Sequence, residues 1–248
     1  MTRKLIALGA LAVVMLLAQP QVALAQELSL NLADGQSISA RTIQLILLIT
    51  VLSVAPGLLI MITCFPFLVT VLSILRQAIG LQQAPPNMLM ISLAMFLTYF
   101  VMEPVFQEAW DTGISPLLDE QIEVVPALER AIVPFRSFMA NRLDADTFYA
   151  ISDLRPGTEG LDPTAEAPLS VLIPSFMLSE ITRAFQIGFL VFLPFLVIDL
   201  VTAAVLMSMG MMMVPPALVS LPFKLAFFVV ADGWSLIASA LVRSYYPS

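Results

Sequence analysis

The stretch of residues 174–234 constrains this chain more than any other part of it. It is apolar enough to enter a bilayer twice, yet a methionine-rich turn and two consecutive prolines divide it, and it contains five charged side chains: Glu180, Arg183, Asp199, Lys224 and Asp232. Charged side chains inside apolar segments are costly, and they usually face a bundle interior or an aqueous path and pair with one another. The stretch therefore predicts a membrane assembly with an internal pathway.

Composition supports the membrane class and argues against catalysis. Hydrophobic residues make up 59% of the 248 residues and charged residues 12%, and the mean hydropathy is +0.95. Histidine is absent and Cys64 is the single cysteine, so the commonest general base is missing and a cysteine-rich metal site cannot be built. We therefore expect no catalytic residues, no metal and no cofactor, and a protein that is not an enzyme.

Residues 1–25 have the pattern of a cleaved signal peptide. Arg3 and Lys4 precede an apolar run from Leu5 to Leu17, and Ala23-Leu24-Ala25 forms a small-residue cleavage site. An uncleaved membrane anchor is the alternative, although the apolar run is short for a span of about 20 residues. Cleavage would start the mature chain at Gln26, on the outer side of the membrane.

The remaining pattern predicts an all-α membrane protein, with proline-broken hydrophobic helical hairpins and an acidic, mainly helical extracytoplasmic insert. Breaks are expected at Pro56-Gly57 and Pro66, and a kink at Pro194. The predicted organisation is a signal peptide (1–25), an extracytoplasmic lead-in (26–42), a first hairpin (43–105), the acidic insert (106–173), a second hairpin with a Met-rich turn (174–242) and a C-terminal tail (243–248).

The insert differs from its surroundings in charge. The region from Glu103 to Glu166 contains 13 of the 18 acidic residues and only four basic ones, whereas cytoplasmic loops carry an excess of Lys and Arg. Residues 126–143 predict an amphipathic helix interrupted at Pro134, with an apolar face formed by Leu128, Ile132, Phe135, Phe138 and Met139. Residues 155–168, rich in Gly, Pro and acidic residues, predict a loop.

The charged residues of the second hairpin allow more than one pairing. Glu180 and Arg183 are three residues apart, so they share a helix face and can neutralise each other. Alternatively, Glu180 pairs with Lys224 across helices or between subunits, because a lone ammonium in an apolar setting needs a partner. Asp199 is open to three roles: a proton relay, a pairing partner, or a cap for backbone freed by Pro194. Asp232, beside Trp234, is expected near a membrane interface.

Methionines concentrate at the turn of this hairpin. Met207, Met209 and residues 211–213 lie directly before Pro215-Pro216. Methionine is flexible and polarisable, so a cluster can fill an irregular space and repack when something passes. The plain alternative is core filling or contact with lipid. At a proline-broken turn the cluster favours a gate, in which repeated copies around an axis form a deformable apolar seal.

Three adjoining segments carry a resemblance to a known family. PSFMLSEITRAFQIGF (174–189), PFLVIDLVTAAVLMSMGM (194–211) and MMMVPPALVSLPFKLAFFVVADGW (211–234) resemble signatures of the FliP family of flagellar type III export-gate membrane proteins. VLSILRQAIGLQQAPPNMLM, FLTYFVMEPV and PFRSFM also fit, so the resemblance covers essentially the whole mature chain. One departure lies at residues 63–67, which read Thr-Cys-Phe-Pro-Phe where the family commonly has Thr-Ser-Phe-Thr-Arg.

The resemblance implies a structural pore subunit of the bacterial inner membrane and flagellar basal body. The acidic charge of the insert, together with an even number of crossings from an exported N-terminus, predicts that the insert lies on the periplasmic side. It implies a ring of five subunits that joins FliQ-like and FliR-like partners and other export-apparatus proteins, contacts membrane lipid and conducts unfolded flagellar proteins. The implied pore constriction is Met211, Met212 and Met213, and the implied inter-subunit ion pair is Glu180 with Lys224. Arg183, Asp199 and Asp232 are candidates for a buried charge network. No nucleic-acid partner is implied.

Other functions remain as alternatives. The equivalent subunit of a virulence-type secretion apparatus resembles this chain, but such subunits are typically shorter and lack a cleaved signal. A proton-coupled secondary transporter would use Asp199 as its ion site. An intramembrane hydrolase would need a nucleophile with a base, or a carboxylate pair, and the sequence singles out neither.

Overall fold

A computed structural model describes residues 38–81, 85–158, 160–211 and 213–246. The predicted signal peptide, the lead-in as far as residue 37, and Met212 of the predicted constriction lie outside these residues. Every regular element in the described ranges is helical, which confirms the all-α prediction. The elements are α1 (Ile38–Met61), α2 (Phe65–Ile79), α3 (Asn87–Ala109), a π-helical turn (Trp110–Ile114), α4 (Ser115–Leu118), α5 (Val124–Ala131), α6 (Val133–Arg142), α7 (Ala145–Ser152), α8 (Leu169–Ser208), α9 (Pro216–Val230) and α10 (Gly233–Arg243).

Several helices are long and apolar enough to cross a membrane. Two helical segments meet this condition by length and composition. They are Asn87–Leu118, which consists of α3, the π-helical turn and α4, and Leu169–Ser208, which is α8. The number rises to four if each of two bent helix pairs is counted as one span. The bends measure 71° between Ser53–Met61 and Phe65–Ile79, and 62° between Pro216–Val230 and Gly233–Arg243. Bent apolar helix pairs are therefore present in the described part of the chain.

Not every proline break that the sequence suggested is present. Helix α1 continues through Pro56, so the break expected there is wrong, and the chain bends instead at residues 62–64. Pro66 lies in the first turn of α2, where its missing N–H costs nothing because that group has no intrahelical acceptor. Pro194 lies within the continuous helix α8. A proline removes one backbone bond, and a long apolar helix tolerates that loss.

The described residues fall into two compact units, which divide after Pro56. In the described part of the first unit, the hydroxyls of Thr50 and Ser53 donate to the carbonyls of Ile46 and Ile49 at 2.8 and 2.7 Å. These bonds satisfy two polar groups within the apolar part of α1.

The core of the second unit forms where α2 packs along α8. The buried side chains of α2 are spaced at three and four residues, which places them on one helix face; they are Phe67, Leu68, Val71, Leu72, Leu75, Ala78 and Ile79. On α8, Gly188 gives the room for close approach, since a Cβ atom there would lie only 2.4 Å from Cδ1 of Ile74. Helices α8 and α9 then form an antiparallel hairpin, in which Phe195 packs edge-on to Phe227 at 6.0 Å.

The insert is folded against this core. Helices α5 and α6 are separated at Ile132, which agrees with the interruption predicted near Pro134, and Phe135 and Met139 are buried as expected. Leu128, predicted on the same apolar face, is 59% exposed, so that part of the prediction is wrong. The predicted loop at 155–168 contains no helix among its described residues, and Arg136 holds it by donating to the carbonyls of Ala165 and Ala167.

Helix α7 has a side-chain cap at its start. The carboxylate of Asp144 accepts from the Thr147 hydroxyl at 2.7 Å and from the Thr147 backbone N–H at 3.0 Å, and these bonds lower the pKa of Asp144. The Asp144 backbone N–H donates to Ser179 Oγ at 3.0 Å. The beginning of α7 is thereby attached to α8.

Replacing Gly188 with leucine should destabilise the contact between α2 and α8. The larger side chain meets Ile74, and overpacking of this kind typically costs about 1–3 kcal/mol. The melting temperature of the purified protein in mild detergent should fall, and a second substitution, Ile74→Ala, should restore part of it. Gly57→Ala is the matched control, because nothing lies within 4 Å of a Cβ atom at that position. A Gly188→Leu protein as stable as the control would contradict the packing described.

Candidate functional site

The charged residues of the second hairpin lie in two clusters. The first, the glutamate cluster, consists of Glu180, Arg142, Arg183 and Tyr245. The Glu180 side chain is fully buried, and its Oε1 lies 3.1 Å from Nε of Arg142 and 4.0 Å from Nη1 of Arg183. Its Oε2 accepts from the Tyr245 hydroxyl. Both carboxylate oxygens therefore have donors, as a buried charge requires.

Arg142 extends the glutamate cluster to the end of the chain. Its Nη1 donates to the Ser244 carbonyl at 2.8 Å, and its guanidinium carbon lies 4.0 Å from the centre of the Tyr245 ring. The planar guanidinium suits both contacts, since it presents donors in its plane and stacks on aromatic faces. Burial, together with the negative charge of Glu180, raises the pKa of Tyr245 above its ordinary value. The phenol therefore stays protonated and can donate.

The second cluster, the lysine cluster, consists of Lys224, Asp199 and Ser220. Lys224 Nζ lies 2.6 Å from Oδ2 of Asp199, and the Ser220 hydroxyl donates to Oδ1 at 2.5 Å. Lys224 also donates to the Ala78 carbonyl at 3.0 Å. That carbonyl belongs to the last turn of α2, where carbonyls have no intrahelical donor and the helix dipole favours a cation. The lysine cluster thus joins α2, α8 and α9.

A left-handed residue ends α2 beside this contact. Helix α2 ends at Gly80, whose φ is +88°, and a Cβ atom there would lie 3.9 Å from Lys224 Nζ. Glycine adopts this conformation without steric cost. The chain therefore turns away directly after the carbonyl that Lys224 binds.

The structure shows which charged residues pair with Glu180 and with Lys224 inside one chain. Within the described residues of one chain, Glu180 contacts Arg142 and Arg183, while Lys224 contacts Asp199, and no ion pair joins Glu180 to Lys224. Of the roles considered for Asp199, the structure shows that of a pairing partner. Asp232 is exposed at the bend between α9 and α10, with a φ of +46°. The ion pair predicted between subunits concerns two copies and stays a prediction.

The methionines of the turn that the structure describes are not part of the core. Met213 is 97% exposed, and Met207, Met209 and Met211 are also exposed. Beside the turn, α8 and α9 enclose a cavity of about 540 Å³ whose walls are almost entirely apolar, with Val201, Leu206, Met209, Met211 and Phe223 among its lining residues. The exposed methionines of this turn therefore have no packing partner that would bury them within the described chain.

Two members of the glutamate cluster escaped sequence reasoning. Arg142 lies in the insert, 38 positions before Glu180, and Tyr245 lies in the segment predicted to be a tail. A tyrosine pair close to the end of an apolar chain, at Tyr245-Tyr246, was the available signal, because amphipathic aromatic residues favour sites with one polar end. Tyr246 is also anchored, since its hydroxyl donates to the Val101 carbonyl at 2.9 Å.

The departure at residues 63–67 has a structural role in this chain. Phe67 is fully buried and packs edge-on against Tyr245, with ring centres 5.6 Å apart. Cys64 is also buried.

No group of three or more His, Cys, Asp or Glu side chains within the described ranges has an arrangement that could hold a metal ion.

Removing Arg142 should destabilise the protein strongly. Arg142→Ala leaves the fully buried Glu180 without its nearest cation, and breaking a buried ion pair typically costs about 3–5 kcal/mol. We expect a large fall in melting temperature in mild detergent. Arg155→Ala is the control, because Arg155 is exposed in the same insert and forms no ion pair among the described residues; its effect should stay within about 0.5 kcal/mol. Equal effects of the two substitutions would refute the structural role of Arg142.

Comparison with known proteins places the chain in a family. Residues 48–241 match the FliP family. The flagellar biosynthetic protein FliP of Caulobacter vibrioides is 50% identical, over 98% of this chain and 91% of its own length. The proteins of the same name from Agrobacterium fabrum and Bacillus subtilis are 48% and 45% identical, over 94% and 86% of this chain and 97% and 96% of their own lengths. The chain belongs to the FliP family.

Proposed function

We propose that this chain is a pore-forming structural subunit of the flagellar protein-export gate, acting without catalysis. Several copies, with five as the expected number, would assemble with FliQ-like and FliR-like subunits in the inner membrane at the flagellar basal body. The channel would carry unfolded flagellar proteins outward, and the acidic insert would lie on the periplasmic side. Membership of the FliP family supports the flagellar assignment.

One structural observation carries the channel proposal. The turn that joins α8 to α9 and carries Met211 and Met213, here called the methionine turn, lies at the end of an apolar hairpin. It is almost fully exposed at Met213 and has no partner in the described chain. Copies of such a turn around an axis would form an apolar constriction, which blocks hydrated ions and yields to a passing chain because methionine repacks easily. We propose Met211, Met212 and Met213 as this constriction.

The sides of the hairpin support assembly with other subunits. In the most apolar window of α8, only 11% of the residues are buried, and a helix that is apolar all round needs cover from lipid or from other protein.

The Asp199 carboxylate already accepts from Lys224 and Ser220. That satisfied pairing gives a proton-coupled transporter less support than an assembly subunit.

The inter-subunit ion pair is part of the proposal. Lys224 has three N–H donors, and two of them bind Asp199 and the Ala78 carbonyl, so one remains for a carboxylate of a neighbouring copy. Glu180 is fully buried in the single chain. A contact between Glu180 and Lys224 of two copies therefore requires a side chain to reorient on assembly.

The assembly itself is tested by native mass spectrometry, after co-expression with FliQ and FliR and extraction in mild detergent. A multimer that incorporates both partners supports the export gate. A monomer or dimer that ignores them contradicts it and favours the transporter.

Shortening the methionines should open the seal. In an assembled complex, replacing Met211, Met212 and Met213 with alanine removes the side chains that would close the axis. Ion conductance across a planar bilayer containing the purified complex should rise clearly above that of the wild type. Met207→Ala, at an exposed methionine of α8, is the control and should leave conductance low. A triple variant that assembles normally but conducts no more than the wild type would exclude the constriction.

Substitutions of Lys224 and of Asp199, its partner within the chain, should affect assembly differently. If Lys224 also binds Glu180 of a neighbour, Lys224→Met should abolish the multimer. Asp199→Asn removes the internal partner and should leave most of the multimer intact, because Lys224 keeps its charge. The measurement is the multimer fraction in native mass spectra of the two variants. Equal losses would show that Lys224 acts only within its own chain.

A further inference from the structure

Helix α5 of the insert is packed with the opposite face from the one its composition predicts. Ala127 is fully buried and Ala131 is partly buried, against Gly113 of the π-helical turn. The fit is close, because a Cβ atom at Gly113 would lie 2.7 Å from the Ala127 carbonyl oxygen. The larger apolar side chains of α5 point outward, with Val125 65% exposed and Val124 and Leu128 similarly exposed.

These side chains continue into a wider apolar surface. Leu118 is also exposed. An open depression of about 540 Å³ lies at the turn between α4 and α5, and its lining is both apolar (Leu117, Ile122, Val124 and Val125) and polar (Glu120, Gln121 and Glu123). We name residues 117–128 the insert tip. Leu117 and Leu118 end the candidate span Asn87–Leu118, and residues 119–128 of the tip follow it in the chain. Contiguous apolar surface outside a membrane commonly marks an interaction site.

The turn at the tip is held in an uncommon conformation. Glu120 has a φ of +57°, in the left-handed region that non-glycine residues seldom adopt. In this position the residue caps the end of α4, as left-handed residues often do directly after a helix. Here the Glu120 and Gln121 backbone N–H groups donate to the carbonyls of Leu117 and Pro116 at 3.1 and 2.9 Å. Backbone hydrogen bonds thus hold the turn at the tip, and its large apolar side chains are exposed.

Charge determines which partner the tip fits. Four exposed carboxylates, here called the acidic rim, lie in or next to the tip, at Asp119, Glu120, Glu123 and Glu129, and two of them, Glu120 and Glu123, line the same depression as Val124 and Val125. Arg130 is the single basic residue between positions 108 and 131. A second copy of the tip would bring like charges together, and anionic lipid headgroups would be repelled in the same way. A segment with large apolar side chains flanked by Lys or Arg satisfies both the apolar surface and the acidic rim.

We propose that the insert tip is the docking surface for a partner protein that presents a basic, amphipathic segment. Val124, Val125 and Leu128 supply the apolar contact, and the acidic rim orients the partner and speeds its approach. The proposal does not depend on the channel assignment, because it uses only residues of the insert.

The test uses the full chain in phosphatidylcholine nanodiscs and a synthetic amphipathic helical peptide of leucine and lysine, with empty nanodiscs as the reference. Binding is measured by biolayer interferometry. Val125→Gln with Leu128→Gln removes apolar contacts at exposed positions, so the fold should be retained. Leu154→Gln is the matched control, since Leu154 is 79% exposed in the same insert but outside the tip. A third variant, Asp119→Asn with Glu123→Gln, neutralises part of the rim.

We expect the double glutamine variant to weaken binding about tenfold or more, as loss of central apolar contacts typically does. The control should bind like the wild type, and the rim variant should bind more weakly with less dependence on salt. A peptide with glutamate in place of lysine should not bind. Unchanged binding by the double glutamine variant would overturn the proposal. So would equal binding to empty nanodiscs, or self-association of the wild type that this variant abolishes, which would make the tip a contact between copies.

Discussion

The buried carboxylate of Glu180 is the constraint on which the arrangement of the second unit depends. A charge removed from water costs several kcal/mol unless hydrogen-bonded partners replace the solvent. Its partners here come from elsewhere in the chain, because Arg142 ends α6 in the insert and Tyr245 follows α10. Satisfying one side chain of α8 therefore fixes both the insert and the C-terminal segment against the helical core. Phe67 and Phe138 pack on the Tyr245 ring, so the aromatic and ionic contacts reinforce each other.

The two charged clusters differ in how easily they can rearrange. Arg142 is held through a carboxylate, a carbonyl and an aromatic face at once, and a planar guanidinium keeps all three only in one orientation. Lys224 is a flexible point charge, and its partner Asp199 is 37% exposed. The glutamate cluster is therefore suited to anchoring the insert. The lysine cluster, at the base of the hairpin that carries the methionine turn, is suited to exchanging a partner when subunits assemble.

Sequence reasoning succeeded where the signal was local and failed where it depended on distant contacts. Hydropathy predicted the helical class, the hairpin around the methionine turn and the interruption between α5 and α6. It misplaced the break at Pro56, because a proline signals the loss of one hydrogen bond but not whether a long apolar helix absorbs it. Arg142 and Tyr245 were missed because helix packing, not spacing along the chain, brings them to Glu180. Leu128 was misassigned because the alanine face of α5 packs closely on Gly113, so the larger side chains had no room there.

Two kinds of exposed apolar surface follow from this packing, and charge distinguishes them. Along the middle of α8, Leu193, Leu196, Val197, Leu200, Val201 and Val205 are exposed, and Asp199, the one charged residue among them, is neutralised by Lys224. Such a surface suits lipid or the apolar flank of another subunit. At the insert tip, the apolar side chains lie beside exposed carboxylates, which would repel both anionic lipid and a second tip. Because the glutamate cluster anchors the insert to α8, a partner bound at the tip would be held in fixed relation to the hairpin that carries the methionine turn.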